Sequence, residues 1–463
     1  MNYDVVVIGA GPAGYVCAIR AAQLGLKTAI VDKQWLGGVC LNVGCIPSKS
    51  LLKNAEVAEL LRHRGKEFGF SFDNLKLDYA AAVKRSRQVS DRLTKGVGFL
   101  MKKNNIDVHM GAAVLKSKSS VEVADKDGNK KTLEAKNVVV ATGARAAMIP
   151  GVVADGKKVV TYGEAILQEA LPKSVVVVGS GAVGVEFSTV WNAYGSQVAI
   201  VEMLPSLVPL EDEEIAKELA KQFEKAGIKV KLGTKVEEID ASGEMVKVKV
   251  NGAGGVETLE AEQALVAIGF KPNSENLGLA ALGVKIERGF IQVDDKLQTS
   301  VPGIYAIGDV TGKLMLAHVG SAQGVVCAEN IAGHETVTLN YSTMPRATYC
   351  RPQIASFGLS EKQAKEKGYE VKTAKFPFQA NGKALGMGDY AGFVKYVTDA
   401  KYGEILGAHL IGPEVTELLP ELTLAANMEL TAEEIARNVH AHPTLSETLM
   451  EAAHGLVGGY IHI

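Results

Sequence analysis

Two cysteines stand five positions apart, Cys40 and Cys45, in the segment Gly37-Gly38-Val39-Cys40-Leu41-Asn42-Val43-Gly44-Cys45-Ile46-Pro47-Ser48-Lys49. Glycines flank them and a helical pattern follows. At the first turn of a helix the dipole and the unsatisfied N–H groups stabilise a thiolate. Lys49, four residues beyond Cys45, adds positive charge. This setting suits a dithiol that opens and closes as a disulfide. Two other uses compete for such a pair. Free cysteines are commonly buried as small hydrophobes, but the polar, glycine-rich flanks disfavour a core position. Zinc wants more ligands nearby, and the closest histidine is His63, so no metal site is expected. Cys17, Cys327 and Cys350 lack the setting and read as structural.

A second chemical pattern occurs twice. The apolar run Tyr3–Ile8 leads into Gly9-Ala10-Gly11-Pro12-Ala13-Gly14, a helical pattern continues to about Leu24, and the strand Lys27–Val31 ends at Asp32. Later, Ser174–Val178 leads into Gly179-Ser180-Gly181-Ala182-Val183-Gly184, and Val198–Val201 ends at Glu202. Each acid follows its first glycine by the same 23 positions. In such a unit the first glycine permits the tight turn. The second lets backbone approach a pyrophosphate, and the third allows close helix–sheet packing. The helix N-terminus offers partial positive charge to the phosphates, and Pro12 suits its first turn. The acid bonds a ribose hydroxyl, so Asp32 and Glu202 each predict an adenosine ribose without a 2′-phosphate. After Glu202 no Lys or Arg precedes Lys217, while Glu211, Asp212, Glu213 and Glu214 are acidic. The expectation is that this run repels a 2′-phosphate and favours NAD over NADP. One copy alone would read as a tight turn in an α/β fold; two with acids in register are far less frequent by chance.

A third candidate lies near the C-terminus, in His440-Ala441-His442-Pro443-Thr444-Leu445-Ser446-Glu447. Most lone histidines are structural. Pro443, however, restricts His442 to extended geometry and so fixes where it projects. Glu447, at the start of or within the next helix, can bond one ring nitrogen and set the tautomer. His440 reads as structural.

The elements that must position these groups follow from periodicity. Residues 55–105 read as helices, and 106–133 as short strands around the turn Asp125-Lys126-Asp127-Gly128. The strand Asn137–Val140 precedes Ala141-Thr142-Gly143-Ala144-Arg145. A hairpin is expected around Gly252–Gly255, and buried strands over Ala264–Ile268, ending at Gly269, and over Ile304–Ile307, ending at Gly308-Asp309. From about Arg346 the pattern changes. Phe393–Val397 and Ile405–Ile411 read as strands and helices carry the chain onward, with Pro420 expected as a kink or boundary.

Composition sets the frame. A chain of 463 residues suggests about three domains, and 47% hydrophobic with 22% charged residues is ordinary globular composition. A net charge of −2 argues against nucleic acid as a partner. No apolar stretch approaches the roughly 18 residues of a membrane span, and no basic n-region of a signal peptide is visible at Met1-Asn2-Tyr3-Asp4. Five cysteines do not make a secreted disulfide framework, so a reducing cytoplasm is the expected location. The 49 glycines exceed the average share of about 7%, which points to many close approaches of backbone.

Together Gly9–Gly14, Cys40–Lys49, Ala141–Arg145, Gly179–Glu186, Thr299–Asp309 and His440–Glu447 resemble the pyridine nucleotide–disulfide oxidoreductases with two active cysteines, over essentially the whole chain. The resemblance implies an α/β fold of two Rossmann-like units plus a C-terminal α+β dimerisation domain. FAD would occupy the first turn (Gly9, Gly11, Pro12, Ala13, Gly14, Asp32), with Thr142 and Gly143 beside it. NAD would occupy the second (Gly179, Gly181, Ala182, Val183, Gly184, Glu202, with Gly269). The implied segments are 1–149 and 272–345 for FAD, 150–271 for NAD and 346–463 for the interface. Asp309 would hold the ribityl chain, and the helix beginning at Leu316-Ala317-His318 would stabilise negative charge on the flavin. Lys49 would lie near the flavin and pair with Glu186. Cys45 would contact the flavin and Cys40 would exchange with substrate. His442, oriented by Glu447, would be the acid–base catalyst, reaching the disulfide of the other subunit of a homodimer. The implied activity, in the members this chain most resembles, is oxidation of protein-bound dihydrolipoamide with reduction of NAD. Because the chain begins at its first strand, the lipoyl group is expected on a separate protein, either the acyltransferase of a 2-oxoacid dehydrogenase complex or a glycine-cleavage carrier. Glutathione-type reductases should carry basic residues where Glu202 stands, and mercuric reductases an extra cysteine pair beyond Cys350. A non-catalytic flavin scaffold would not need the Cys40, Cys45, His442 and Glu447 set. Asp32 stands where Glu is usual, Val39 where Thr is common, and Phe270 where the family often has a basic residue.

Overall fold

The computed structural model describes residues 2–463. Asn2–Ile8 is almost wholly apolar after its first residues, as a strand covered on both faces must be. It lies inside the first sheet, parallel to Thr28–Asp32 on one side and Lys130–Val140 on the other. Asp107–Met110 extends one edge. Ile304–Ala306 returns from far along the chain to run parallel beside Lys130–Val140. That strand is one continuous element of 11 residues rather than two short ones. Its first half alternates exposed and buried side chains and pairs antiparallel with Ser120–Ala124, whereas Val138–Val140 are fully buried in the parallel core. The change of pattern marks a change of surroundings, and it hides the continuity from a periodicity reading.

The second sheet repeats the plan. Its order is Lys229–Lys231, Gln197–Val201, Ser174–Val178, Gln263–Val266, Val159–Val160, and all pairs are parallel. The hairpin Val246–Gly252 and Gly255–Ala261 gains a third strand, Lys235–Asp240. The C-terminal sheet is antiparallel and five-stranded: Arg346–Thr348, Gln353–Gly358, Ile405–Gly412, Phe393–Asp399, Val371–Pro377. The two strands read from sequence are its buried interior ones. Helices Val415–Asn427 and Glu447–Val457 share a hydrophobic core with this sheet.

Pro420 does not end or bound a helix. It lies inside Val415–Asn427, where it removes the backbone bond that would reach the Thr416 carbonyl. Burial of Val415, Leu419 and Leu422 against the sheet carries the helix through that gap. Leu51 and Leu52 of the helix that follows Cys45, Phe187 and Trp191 of the second unit, and Cys350, Ile354 and Ile411 of the C-terminal unit belong to one hydrophobic core. The cysteine-bearing helix is therefore packed where all three units meet. No helix among the described residues is long and apolar enough to cross a membrane.

Candidate active site

Cys40 lies in the short helix Gly38–Val43 and Cys45 opens the helix Cys45–Glu59. Gly44 joins the two. A Cβ there would stand 3.0 Å from the Val39 carbonyl and 3.2 Å from Cys40 Cα, so the chain folds back upon the first cysteine. Asn42 Nδ2 fixes the short helix by donating to the carbonyls of Gly38 and Leu36, at 2.8 and 3.0 Å. Both cysteines are free thiols. A hydrogen bond from Cys40 holds the Cys45 thiol below its ordinary value, against burial and with help from the Lys49 ammonium. The same bond, with burial, pushes Cys40 far up. Cys45 is thus the more acidic thiol of the pair.

Lys49 Nζ meets both oxygens of Glu186, at 2.9 and 2.8 Å. The partners lie on helices of different units, Cys45–Glu59 and Ala182–Tyr194. Glu186 also accepts the backbone N–H of Tyr349 at 2.9 Å, and the Tyr349 ring lies 4.5 Å beneath Lys49 Nζ. Burial opposes the charge on Lys49, but Glu186 and Cys45 raise its pKa overall. Tyr349 escaped the sequence reading because no local pattern marks a residue that acts from another unit.

The two glycine turns have the same construction. Gly9 has φ +107° and Gly179 φ +100°, a region open to glycine and strained for other residues. A Cβ on Gly14 would stand 1.8 Å from the Gly9 carbonyl, and one on Gly184 2.1 Å from that of Gly179. By contrast a Cβ on Gly11 or Gly181 would meet nothing within 4 Å. The third glycine is needed for packing, and the second faces open space of the kind a pyrophosphate could fill. Helices Pro12–Gln23 and Ala182–Tyr194 start there without a side-chain cap, leaving their first N–H groups for an anion. Asp32 and Glu202 serve the turns as well: Asp32 accepts from the Ala10 amide at 2.7 Å and Glu202 from the Ser180 amide at 2.9 Å. Each loop after the closing strand also abuts its turn, since a Cβ on Gly9 would strike the Ala141 carbonyl and one on Gly179 that of Ala267. The first turn touches the redox segment directly. A Cβ on Gly38 would lie 2.6 Å from Gly11 Cα, and the Gly37 amide donates to the Ala10 carbonyl at 2.8 Å.

The acidic run is placed otherwise than expected. Glu211 pairs with Arg346 and accepts from Ser356 Oγ at 2.5 Å. Asp212 and Glu214 bind Lys395, at 3.1 and 2.9 Å, and Glu214 also binds Lys375. Three of the four acids therefore face cations or donors of the C-terminal unit. They lie at a helix start and are engaged in packing against that unit.

Asp309 sits in the short 3-10 turn Gly308–Thr311. Among the described residues its carboxylate receives no hydrogen bond, and burial pushes its pKa up to about 6. A half-buried carboxylate lacking donors fits a hydroxylated chain, as the ribityl group of FAD is. The helix Ala317–Ile331 starts at Leu316 with no side-chain cap, and His318 turns aside to the Pro345 carbonyl at 2.8 Å. Thr142 Oγ1 donates to the Asn273 carbonyl at 2.7 Å and Asn273 Nδ2 returns a bond to Thr142. Gly143 accepts the Asn273 amide. Just beyond Gly269, Phe270–Pro272 pairs with Ala144–Ala146. These residues stitch together the two crossings between the units.

His442 Nδ1 lies 2.9 Å from Glu447 Oε1, and Glu447 opens the helix Glu447–Val457. The His442 side chain is 79% exposed, so its Nε2 faces outward from this chain. The hydrogen bond with His442 helps keep the Glu447 carboxyl low; burial opposes it and the Thr444 amide assists.

A family model described as pyridine nucleotide-disulphide oxidoreductase matches residues 3–324, and its dimerisation-domain model matches residues 344–453. The chain is 54% identical to a dihydrolipoyl dehydrogenase of Mycobacterium leprae, over 100% of this chain and 99% of that one. It is 50% identical to one of Corynebacterium glutamicum over the same shares. Among solved structures it is similar to LpdA of Mycobacterium tuberculosis, with a TM-score of 0.90 at 28% identity, covering 98% of this chain and 99% of that one. It is also similar to the flavoprotein disulfide reductase RclA of Escherichia coli, with a TM-score of 0.86 at 26% identity, covering 97% and 99%.

Proposed function

The chain belongs to the pyridine nucleotide-disulphide oxidoreductase family, and within it we infer a dihydrolipoyl dehydrogenase using FAD and NAD. The observation that carries the reading is the Cys40–Cys45 pair packed against the first glycine turn. FAD would be held at the turn of Gly9–Gly14 with Asp32 and Asp309, and NAD at that of Gly179–Gly184 with Glu202. When bound, FAD would supply a carrier able to accept an electron pair from a thiolate and deliver a hydride to NAD.

The residues of the chain supply the rest. His442 of one subunit removes a proton from a substrate thiol in a homodimer. The substrate thiolate attacks Cys40 of the oxidised pair, which breaks the Cys40–Cys45 bond and releases Cys45 as thiolate. His442 returns the first proton to Cys40 and takes the proton of the second substrate thiol, whose sulfur attacks the first, closing the lipoyl disulfide and releasing Cys40 as a thiol. The dithiol is oxidised and the protein disulfide reduced by the same electron pair. Lys49, held by Glu186, keeps positive charge beside the thiolate of Cys45. General acid–base help of this kind contributes about 10²–10⁴-fold.

The lipoyl substrate arrives on a separate carrier, the acyltransferase of a 2-oxoacid dehydrogenase complex or a glycine-cleavage protein. Segments 1–149 and 272–345 form the FAD unit, 150–271 the NAD unit and 346–463 the interface unit. The return of Ile304–Ala306 to the first sheet supports the split. The deciding assay compares NAD reduction by free dihydrolipoamide with NADPH-linked reduction of glutathione disulfide. The first should dominate; a faster second would overturn the reading.

A further inference from the structure

Two residues before His442 a second histidine is held quite differently. The His440 side chain is 4% exposed. Its Nδ1 lies 2.9 Å from the Asn438 carbonyl, and its Nε2 lies 3.0 and 3.2 Å from the two oxygens of Glu421. A carbonyl and a carboxylate can only accept, so both ring nitrogens carry protons and His440 is an imidazolium. Glu421 also accepts from Asn438 Nδ2 at 3.2 Å. One carboxylate on the helix Val415–Asn427 therefore ties down two residues of the segment that carries the base.

The far end of that segment is tied as well. Asn381 Nδ2 donates to the Thr444 carbonyl at 2.9 Å, and the Thr444 amide donates to Glu447 Oε2 at 2.8 Å. Between these anchors Ala441, His442 and Pro443 are exposed. Within its own chain the base has no packing to orient it, so the anchors on either side set its direction there.

We propose that Glu421, through the His440 imidazolium, is a positioning residue for His442, pinning the start of the segment so that Nε2 is presented to the substrate dithiol. This rests on the assignment of His442 as the base in the function above. The test uses the FAD-loaded dimer and follows flavin reduction separately by dihydrolipoamide and by NADH. Glu421→Ala should slow the dithiol half-reaction at saturation, by up to about 10²-fold for a displaced base. The KM for dihydrolipoamide and the NADH half-reaction should stay near wild type. Glu421→Gln keeps a hydrogen-bonding group at the same reach and should recover most of the rate, while His440→Gln should behave like Glu421→Ala. Wild-type dithiol rates in Glu421→Ala, equal losses in both half-reactions, or no recovery in Glu421→Gln would each overturn the pin. His442→Gln separates the two ideas. If it is crippled and Glu421→Ala is not, the pin alone is wrong; if it turns over dithiol normally, the assignment of the base falls and the pin with it.

Discussion

If Asp309 holds the flavin as proposed, one side chain ties cofactor binding to acidity. Its carboxyl, at about 6 in the protein without flavin, stands above the ~3.9 of an unfolded aspartate. A raised acid contributes stability that is fully present below about pH 4 and lost as the pH rises through about 6. Flavin-stripped protein should therefore melt higher at pH 5 than this group allows at pH 7.5. Asp309→Asn should raise the melting temperature of the stripped protein at pH 7.5 and weaken FAD binding, seen in thermal scans and flavin titration. An unchanged scan with unchanged affinity would remove Asp309 from the site. Cys45 makes a second prediction at this scale. As the thiolate of the pair it should give the two-electron-reduced enzyme its long-wavelength thiolate–flavin absorbance. Cys45→Ser should abolish that band; its survival would mean that Cys40 is the flavin-side thiol.

At the scale of elements the two turn–helix units are built on one plan and can be disabled separately. An added Cβ at Gly184 meets the Gly179 carbonyl, which is backbone and cannot swing aside. Overpacking of this kind costs about 1–3 kcal/mol, and here it would push the helix Ala182–Tyr194 from its strand. Gly184→Ala should raise the KM for NAD about tenfold or more, by the same estimate, while the bound flavin keeps its spectrum. The paired turn helices were legible because each unit is contiguous: strand, glycines, helix and acid lie within about 30 residues, the span of a single supersecondary motif. The third strand Lys235–Asp240 was not, because its pattern of mostly exposed side chains differs little from a loop's.

In the whole molecule, the units are joined by charge as well as by apolar packing. Lys395 is fully buried in the C-terminal sheet and meets Asp212 and Glu214 from the second unit and Glu361 from its own. Burial lowers the pKa of Lys395, but its bonds to Glu214, Glu361 and Asp212 raise it overall, so it stays charged. Removing one partner of a buried pair leaves the others uncompensated, at about 3–5 kcal/mol. Lys395→Met should lower the melting temperature by several degrees and expose the second unit to proteolysis first. An unchanged melt would show that apolar contacts alone hold the units. This cluster also accounts for the acidic run: the acids after the strand ending near Glu202 look like a charge barrier until three of them are seen to meet partners from strands more than a hundred residues away.

From the amino-acid order alone came the two dinucleotide turns, the acids at their ends, the dithiol at a helix start and the His442–Glu447 pair. Each depends on residues within a few turns of one another, whose geometry local backbone rules impose. Only the tertiary structure decided which groups meet across the units: Tyr349 beneath Lys49, Lys395 among the acids, Glu421 on His440. Periodicity states that a face is buried but not against what. The partner of a charge is chosen by packing of the whole chain, where an unpaired buried ion costs more than the chain can bear.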